Sequence, residues 1–160
     1  DFFAANGIET LAPEGFMPDR LAPVGLLAGR TPDTAQDEDI ALARRVLAAL
    51  GRLDVGQAVV AQAGRVLAIE AAEGTNEMLR RVTGLVDAGE SPAVMVKMPK
   101  SGQDMKLDMP VIGVATIESA ADAGIGVIAV QAGGVLFAEA ASVLSEAAEA
   151  LGVTLLGLRG

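Results

Sequence analysis

Neither cysteine nor histidine occurs in the sequence. The first absence removes disulfides, thiolate metal sites and cysteine nucleophiles. The two together remove the usual zinc sites and Ser-His or Cys-His catalysis. Any chemistry must therefore use carboxylates, lysines, hydroxyls, backbone amides or a hard, oxygen-ligated metal such as magnesium. Tryptophan and tyrosine are missing too, and the 2% aromatic content is phenylalanine alone. That leaves no base-stacking platform and no Trp or Tyr floor for a sugar. Positive charge is scarce: 12 Lys and Arg face 21 Asp and Glu, a net charge of −9, so no nucleic-acid partner is expected. The chain is 51% hydrophobic with a mean hydropathy of +0.44, much of it from alanine. No apolar run approaches the roughly 20 residues that span a bilayer, so a soluble chain is expected.

What is present fits an α/β organisation. The 160 residues suffice for one well-cored domain, or one domain with a piece of another. Residues 1–20 read as a helix end, a Gly7 stop, a short strand over 8–11 and a Pro/Gly loop, the end of a preceding α/β domain whose start lies before Asp1. Residues 21–36, with Pro23, Gly25, Gly29 and Pro32, read as a linker. Asp33 or Thr34 then caps a helix over 37–50 with acidic Asp37, Glu38 and Asp39 in its first turn; like the helix over 139–150, it reads as a solvated face with a Leu/Val stripe. Strands over 57–62 and 66–70 flank Gly64 as a hairpin. A helix capped by Thr75 follows, with Met78, Leu79, Val82 and Val86 at core spacing. Beyond it the pattern predicts a strand at 93–98, a helix near 114–123, strands at 126–131 and 135–138, a helix at 140–151 and a last strand at 153–158. The fold class expected is α/β, a mixed sheet flanked by helices, with residues 37–160 as the main domain.

Three loops hold the polar chemistry. The central one is residues 94–110, VMVKMPKSGQDMKLDMP, where an apolar run delivers Lys97 into a charged turn. Three lysines (Lys97, Lys100, Lys106), two carboxylates (Asp104, Asp108) and Gln103 fall within twelve residues there. Such a set suits anionic oxygen: lysines as point charges, backbone N–H groups around Gly102, and carboxylates for a metal or a water. A solvated surface turn would have the same composition. Asp104 could hold a metal-bound water or act as a general base, whereas Asp108 is either a second ligand or the ion-pair partner of Lys106. Such an exposed pair contributes only about 0–1 kcal/mol. The second loop, residues 70–77, places Glu70, Glu73, Gly74 and Thr75 at a strand-to-helix junction, where free helix N–H groups can hold phosphate; an ordinary acidic helix start is the simpler account. The third, residues 131–134 with Gly133 and Gly134, suits a tight turn or close approach to a ligand, and it is not a dinucleotide fingerprint.

Taken in order, Gly56-Gln57-Ala-Val-Val, Glu70-Ala-Ala-Glu73-Gly74-Thr75, Lys97…Lys100…Gly102-Gln103-Asp104-Met-Lys-Leu-Asp108-Met-Pro110, Thr116 and Ala132-Gly133-Gly134 resemble one family over residues 10–158. It is the metal-dependent, non-calcineurin-like UDP-2,3-diacylglucosamine pyrophosphatases of lipid A biosynthesis in Gram-negative bacteria. The resemblance implies a remnant of an N-terminal Rossmann-like domain before a C-terminal catalytic domain, with substrate lying between the two. It implies magnesium-dependent hydrolysis of UDP-diacylglucosamine to UMP and 2,3-diacylglucosamine 1-phosphate (lipid X), by water attack on the β-phosphorus. By the motifs, Asp104 is the expected catalytic residue, and Glu73, Asp104 and Asp108 the metal ligands. Gly74, Thr75, Lys97, Lys100, Gln103, Lys106, Gly133 and Gly134 would bind substrate phosphate. A cytoplasmic enzyme touching the inner membrane transiently is implied. Residues 1–36 read as a detached unit plus linker, compatible with a swapped homodimer. Asn76, Lys106 and Ser101 depart from the family's usual Asp, Arg and Pro; the lysine cannot reproduce a bidentate arginine contact. The six methionines, Met17, Met78, Met95, Met98, Met105 and Met109, offer adaptable material for acyl chains or simply for the core. A non-catalytic module that binds a lipid-linked sugar phosphate, or serves oligomerisation, is the competing class.

Overall fold

The structure, a computed structural model, describes residues 2–100, 102, 106 and 108–160. After a short helix α1 (Phe2–Ala5) and two 3-10 turns (Pro13–Gly15, Pro18–Arg20), the elements run β1 (Gly25–Ala28), α2 (Thr34–Gly51), β2 (Ala58–Gln62), β3 (Arg65–Ile69), α3 (Thr75–Val82) and β4 (Ala93–Lys97). They continue with β5 (Val111–Ile112), α4 (Val114–Asp122), β6 (Ile125–Gln131), β7 (Leu136–Phe137), α5 (Ala141–Leu151) and β8 (Thr154–Leu158). Six strands form one mixed sheet in the order β1-β8-β6-β4-β2-β3, with β4, β6 and β8 parallel and β1 and β2 antiparallel to their neighbours. A small parallel pair, β5-β7, lies apart.

Both faces of the sheet are covered, so its central strands read as continuous apolar runs rather than alternating ones. On one face Val59, Val94, Val96, Val127 and Ala129 meet Ile40, Ala43 and Leu47 of α2. On the other, Val60, Met95, Ile128 and Leu155 meet Met78, Leu79 and Val82 of α3, Ile117 and Ala120 of α4, and Leu144 and Ala148 of α5. The α/β architecture expected from sequence is the one observed. Among the described residues, no helix is long and apolar enough to cross a membrane.

Several local expectations change. Residues 8–11 form no strand; no neighbouring edge pairs with them, and Ile8 and Leu11 stay exposed. Within the stretch read as linker, Gly25–Ala28 forms the edge strand β1 against β8. The contact is close: a Cβ on Gly157 would lie 1.7 Å from the Pro23 carbonyl oxygen, so only glycine admits it. Thr75 does not cap α3; Gly74 holds that place, and the threonine hydroxyl is used elsewhere. At α2 the cap is Asp33, in a reciprocal capping box with Gln36.

Asp39 is the other departure. It is buried rather than part of a solvated face, and its two carboxylate oxygens accept the N–H groups of Ala63 (2.9 Å) and Gly64 (2.8 Å) in the β2–β3 turn. Those amides point at α2 and have no strand partner, so a helix carboxylate serves them. Asp39→Ala removes two hydrogen bonds to a charged acceptor, each worth about 1.5–3 kcal/mol, and the lower end applies because Ala63 and Gly64 are exposed and water can replace the carboxylate. We expect the variant to lose about 2–3 kcal/mol in urea unfolding, and Asp39→Asn, which can satisfy only one of the two N–H groups with its carbonyl, to lose about half as much.

Candidate active site

The carboxyl ends of β4, β6 and β8 share one sheet edge with the start of β2 and the end of β3, because β2 runs antiparallel to both its neighbours. Ligands of open α/β sheets bind outside such carboxyl ends. Here that edge carries a buried polar network. The ladder between β2 and β3 continues past Ile69, with the Glu70 N–H donating to the Ala58 carbonyl (2.9 Å). Glu70 thereby shares a face with Ala68 (strands alternate with period two), and Lys97 shares that same face with Met95. The two meet under the start of α3. The Lys97 Nζ donates to the Thr75 hydroxyl (2.7 Å), which donates to Glu70 Oε1 (2.6 Å). Glu70 Oε2 accepts the Gln57 N–H (3.0 Å), and the Lys97 Nζ lies 3.5 Å from Glu70 Oε1.

Lys97 is only 3% exposed and Glu70 8%. Burial pushes the Lys97 ammonium below the ordinary lysine value, and the Glu70 carboxylate partly opposes that shift. Beside the network opens a cleft of about 420 Å³ lined by Glu70, Ala71, Ala72, Gly56, Gln57, Val55, Asp54, Lys100 and Asp108. Lys100 reaches Asp54 (2.5 Å) and Asp108 (4.0 Å), and its hydrogen bond to Asp54 raises its pKa. The cleft wall thus holds three carboxylates to one lysine, with Lys97 behind Glu70.

A family model for the LpxI C-terminal domain matches residues 23–156. The chain belongs to that family. It is also 40% identical, over 163 aligned residues, to the UDP-2,3-diacylglucosamine pyrophosphatase LpxI of Caulobacter vibrioides; the alignment takes in 99% of this chain and 58% of that relative. The chain therefore spans less than two thirds of the length of the relative.

Within this LpxI C-terminal domain the residues expected from sequence fall into three groups. Thr75, Lys97, Lys100 and Asp108 come together at or directly behind the cleft. Glu73 instead bonds Arg81 and lines a neighbouring depression with Ile69, Ala71, Glu77 and Arg81. A hydrogen bond from its own backbone, and then the Arg81 contact, hold its carboxyl below the usual range. Gly74 precedes α3 with a positive φ of 82°. Gly133 and Gly134 form the tight turn after β6, their N–H groups donating to the Ala22 and Gln131 carbonyls; Lys106 is exposed. Gln103 and Asp104 lie outside the described residues. Met78 and Met95 are core, Met98 packs partly buried against the α2 face, and Met17 is exposed; Met105 is not among the described residues.

Glu70, Gln57, Gly56 and Asp54 are cleft residues to which the sequence reading gave no role. For Glu70 a signal existed, since period two from Ala68 turns it inward. Among the described residues, no three carboxylates gather as a metal cage. Magnesium needs no such cage; one or two carboxylates and substrate phosphate oxygens suffice, with waters filling the remaining positions. Asp108 supplies a donor of that kind at the cleft.

Proposed function

We propose that the LpxI-family protein containing this chain hydrolyses UDP-2,3-diacylglucosamine to UMP and 2,3-diacylglucosamine 1-phosphate in lipid A synthesis. The observation that carries this reading is the cleft in which Lys100 faces carboxylates beside the buried Glu70–Thr75–Lys97 network, in a chain 40% identical to a pyrophosphatase of that name. Phosphoanhydride hydrolysis asks for charge neutralisation and an aligned water rather than covalent chemistry. Without histidine or cysteine, lysines and carboxylates are the side chains left to supply it.

In the proposed mechanism Lys100 binds the diphosphate, and Lys97 holds Thr75 and Glu70 in place from behind. Asp104 takes a proton from the attacking water. The water oxygen bonds to the β-phosphorus, the anhydride bond to the bridging oxygen breaks, and that oxygen leaves on UMP. A cleft with three carboxylates and one lysine repels a diphosphate, which favours a divalent cation; magnesium, held by Asp108 and phosphate oxygens, would neutralise the diphosphate's charge. We place the acylated substrate at the membrane surface. A homodimer and a domain preceding this one complete the proposal.

Hydrolysis in oxygen-18 water with magnesium tests it, using the full-length protein and its Asp104→Ala variant. Label is expected in the sugar phosphate, with turnover reduced at least about 100-fold by the substitution, the scale of a lost general base. Label in UMP would keep the hydrolase and move the attack to the α-phosphorus. Unlabelled products, or near-normal turnover without Asp104, would remove the mechanism.

A further inference from the structure

The chain between α2 and β2 does more than connect them. It is short, and it turns through two left-handed residues, Asp54 (φ 59°) and Gly56 (φ 60°). Aspartate accepts this conformation at little cost because its short polar side chain bonds locally. The turn places Leu53 and Val55 outward, 71% and 36% exposed, and brings the Asp54 carboxylate to the Lys100 Nζ at 2.5 Å. The partners are unequal: the Asp54 side chain is 85% exposed, whereas that of Lys100 is 18% exposed. A solvated carboxylate on a short turn is bound to a lysine embedded in the wall of the cleft. An ion pair with one exposed member is worth at most about 1 kcal/mol, so it adds little to the fold. With Asp108 at 4.0 Å, it sets a carboxylate against the ammonium that the cleft would offer an anion.

We infer that Asp54 is a specificity-determining residue: its carboxylate holds the anion position on Lys100, and a diphosphate displaces it on binding. A singly charged anion gains little by replacing a carboxylate of equal charge. A diphosphate carries several charges and competes well. The outward swing needs no rearrangement of the sheet, because Asp54 precedes β2 and its side chain already faces solvent. This inference rests on the diphosphate site proposed above and adds to it the group that guards the lysine.

The test uses the full-length protein and Asp54→Asn, which keeps the size and the left-handed preference of the residue while removing its charge. Calorimetry with inorganic pyrophosphate at a fixed excess of magnesium reads the site, and phosphate release measured on the same samples subtracts any turnover. Affinity is expected to rise about fivefold in the variant, the equivalent of releasing about 1 kcal/mol, and Lys100→Gln in the same background is expected to abolish the gain. Unchanged or weaker pyrophosphate binding in Asp54→Asn would overturn the inference. So would a raised magnesium requirement for turnover, which would make Asp54 a metal ligand. Absence of turnover with the affinity gain intact would count against the hydrolase reading alone.

Discussion

Lys97→Met is expected to cost about 3–5 kcal/mol of folding stability, the amount lost when one member of a buried ion pair is removed. Glu70 remains behind with the Gln57 N–H and the Thr75 hydroxyl but without its cation, and a domain of this kind has only about 5–15 kcal/mol in total. Replacing both charges removes the fault: Lys97→Met with Glu70→Gln is expected to recover most of the loss in urea unfolding. If the double variant is as unstable as the single one, the pair is not what holds this corner. The same lysine has a pH signature. Its pKa is lowered in the folded chain, so between that value and the unfolded 10.5 the unfolded state binds more protons. Stability attributable to Lys97 therefore rises with pH across that window and is flat below it. The raised pKa of Lys100 acts in the opposite sense, its contribution disappearing as pH climbs through the folded value. Subtracting the Lys97→Met curve from that of the parent isolates the first effect. With tyrosine and cysteine absent, no other side chain besides the lysines titrates ordinarily in this range.

Much of this corner was legible in the sequence, and the part that was not follows from how sheets are built. All three lysines fall between residues 97 and 106, which singles out the loop after β4 without any structure. The hairpin around Gly64 follows from its turn, and every later helix from local periodicity. Strand order does not, because pairing β4 between β2 and β6 is settled by contacts far apart in sequence. Edge strand β1 was hidden for a related reason: four residues with one buried side chain carry no pattern, and β8 supplies the template. The motif pointed to Glu73 and passed over Glu70. The fold separates them, because Glu70 extends the β3 ladder with inward parity while Glu73 sits beyond it, where Arg81 takes its carboxylate. Asp54 had no local signal at all; only the meeting of the α2–β2 turn with the β4 loop gives it a partner.

Gly56→Ala is the substitution expected to affect the cleft most without altering a charge. A Cβ at this position would lie 2.0 Å from the Glu70 carbonyl oxygen, well inside contact distance, and the backbone there has φ 60°. The left-handed conformation alone costs a non-glycine residue about 1–2 kcal/mol. The overlap is with backbone rather than with a flexible side-chain tip, so relief requires β2 and β3 to part at their shared end. We expect a total loss above about 3 kcal/mol, within the range of strain at special backbone positions combined with overpacking. The consequence reaches the site because Gln57, the next residue, donates its N–H to Glu70 Oε2. As the strands separate, that bond lengthens, Glu70 loses its anchor, and Thr75 and Lys97 lose their shared acceptor. Amide exchange should therefore accelerate at Gln57 and Glu70, whereas Val127 and Leu155 in the middle of the sheet stay protected. Uniform acceleration across the sheet would mean that the substitution lowers global stability only. Unchanged exchange at Gln57 and Glu70 would mean that the two strand ends are not held together by this contact. A local response would tie the glycine at the start of β2 to the buried carboxylate at the end of β3, and through it to the lysine under the cleft.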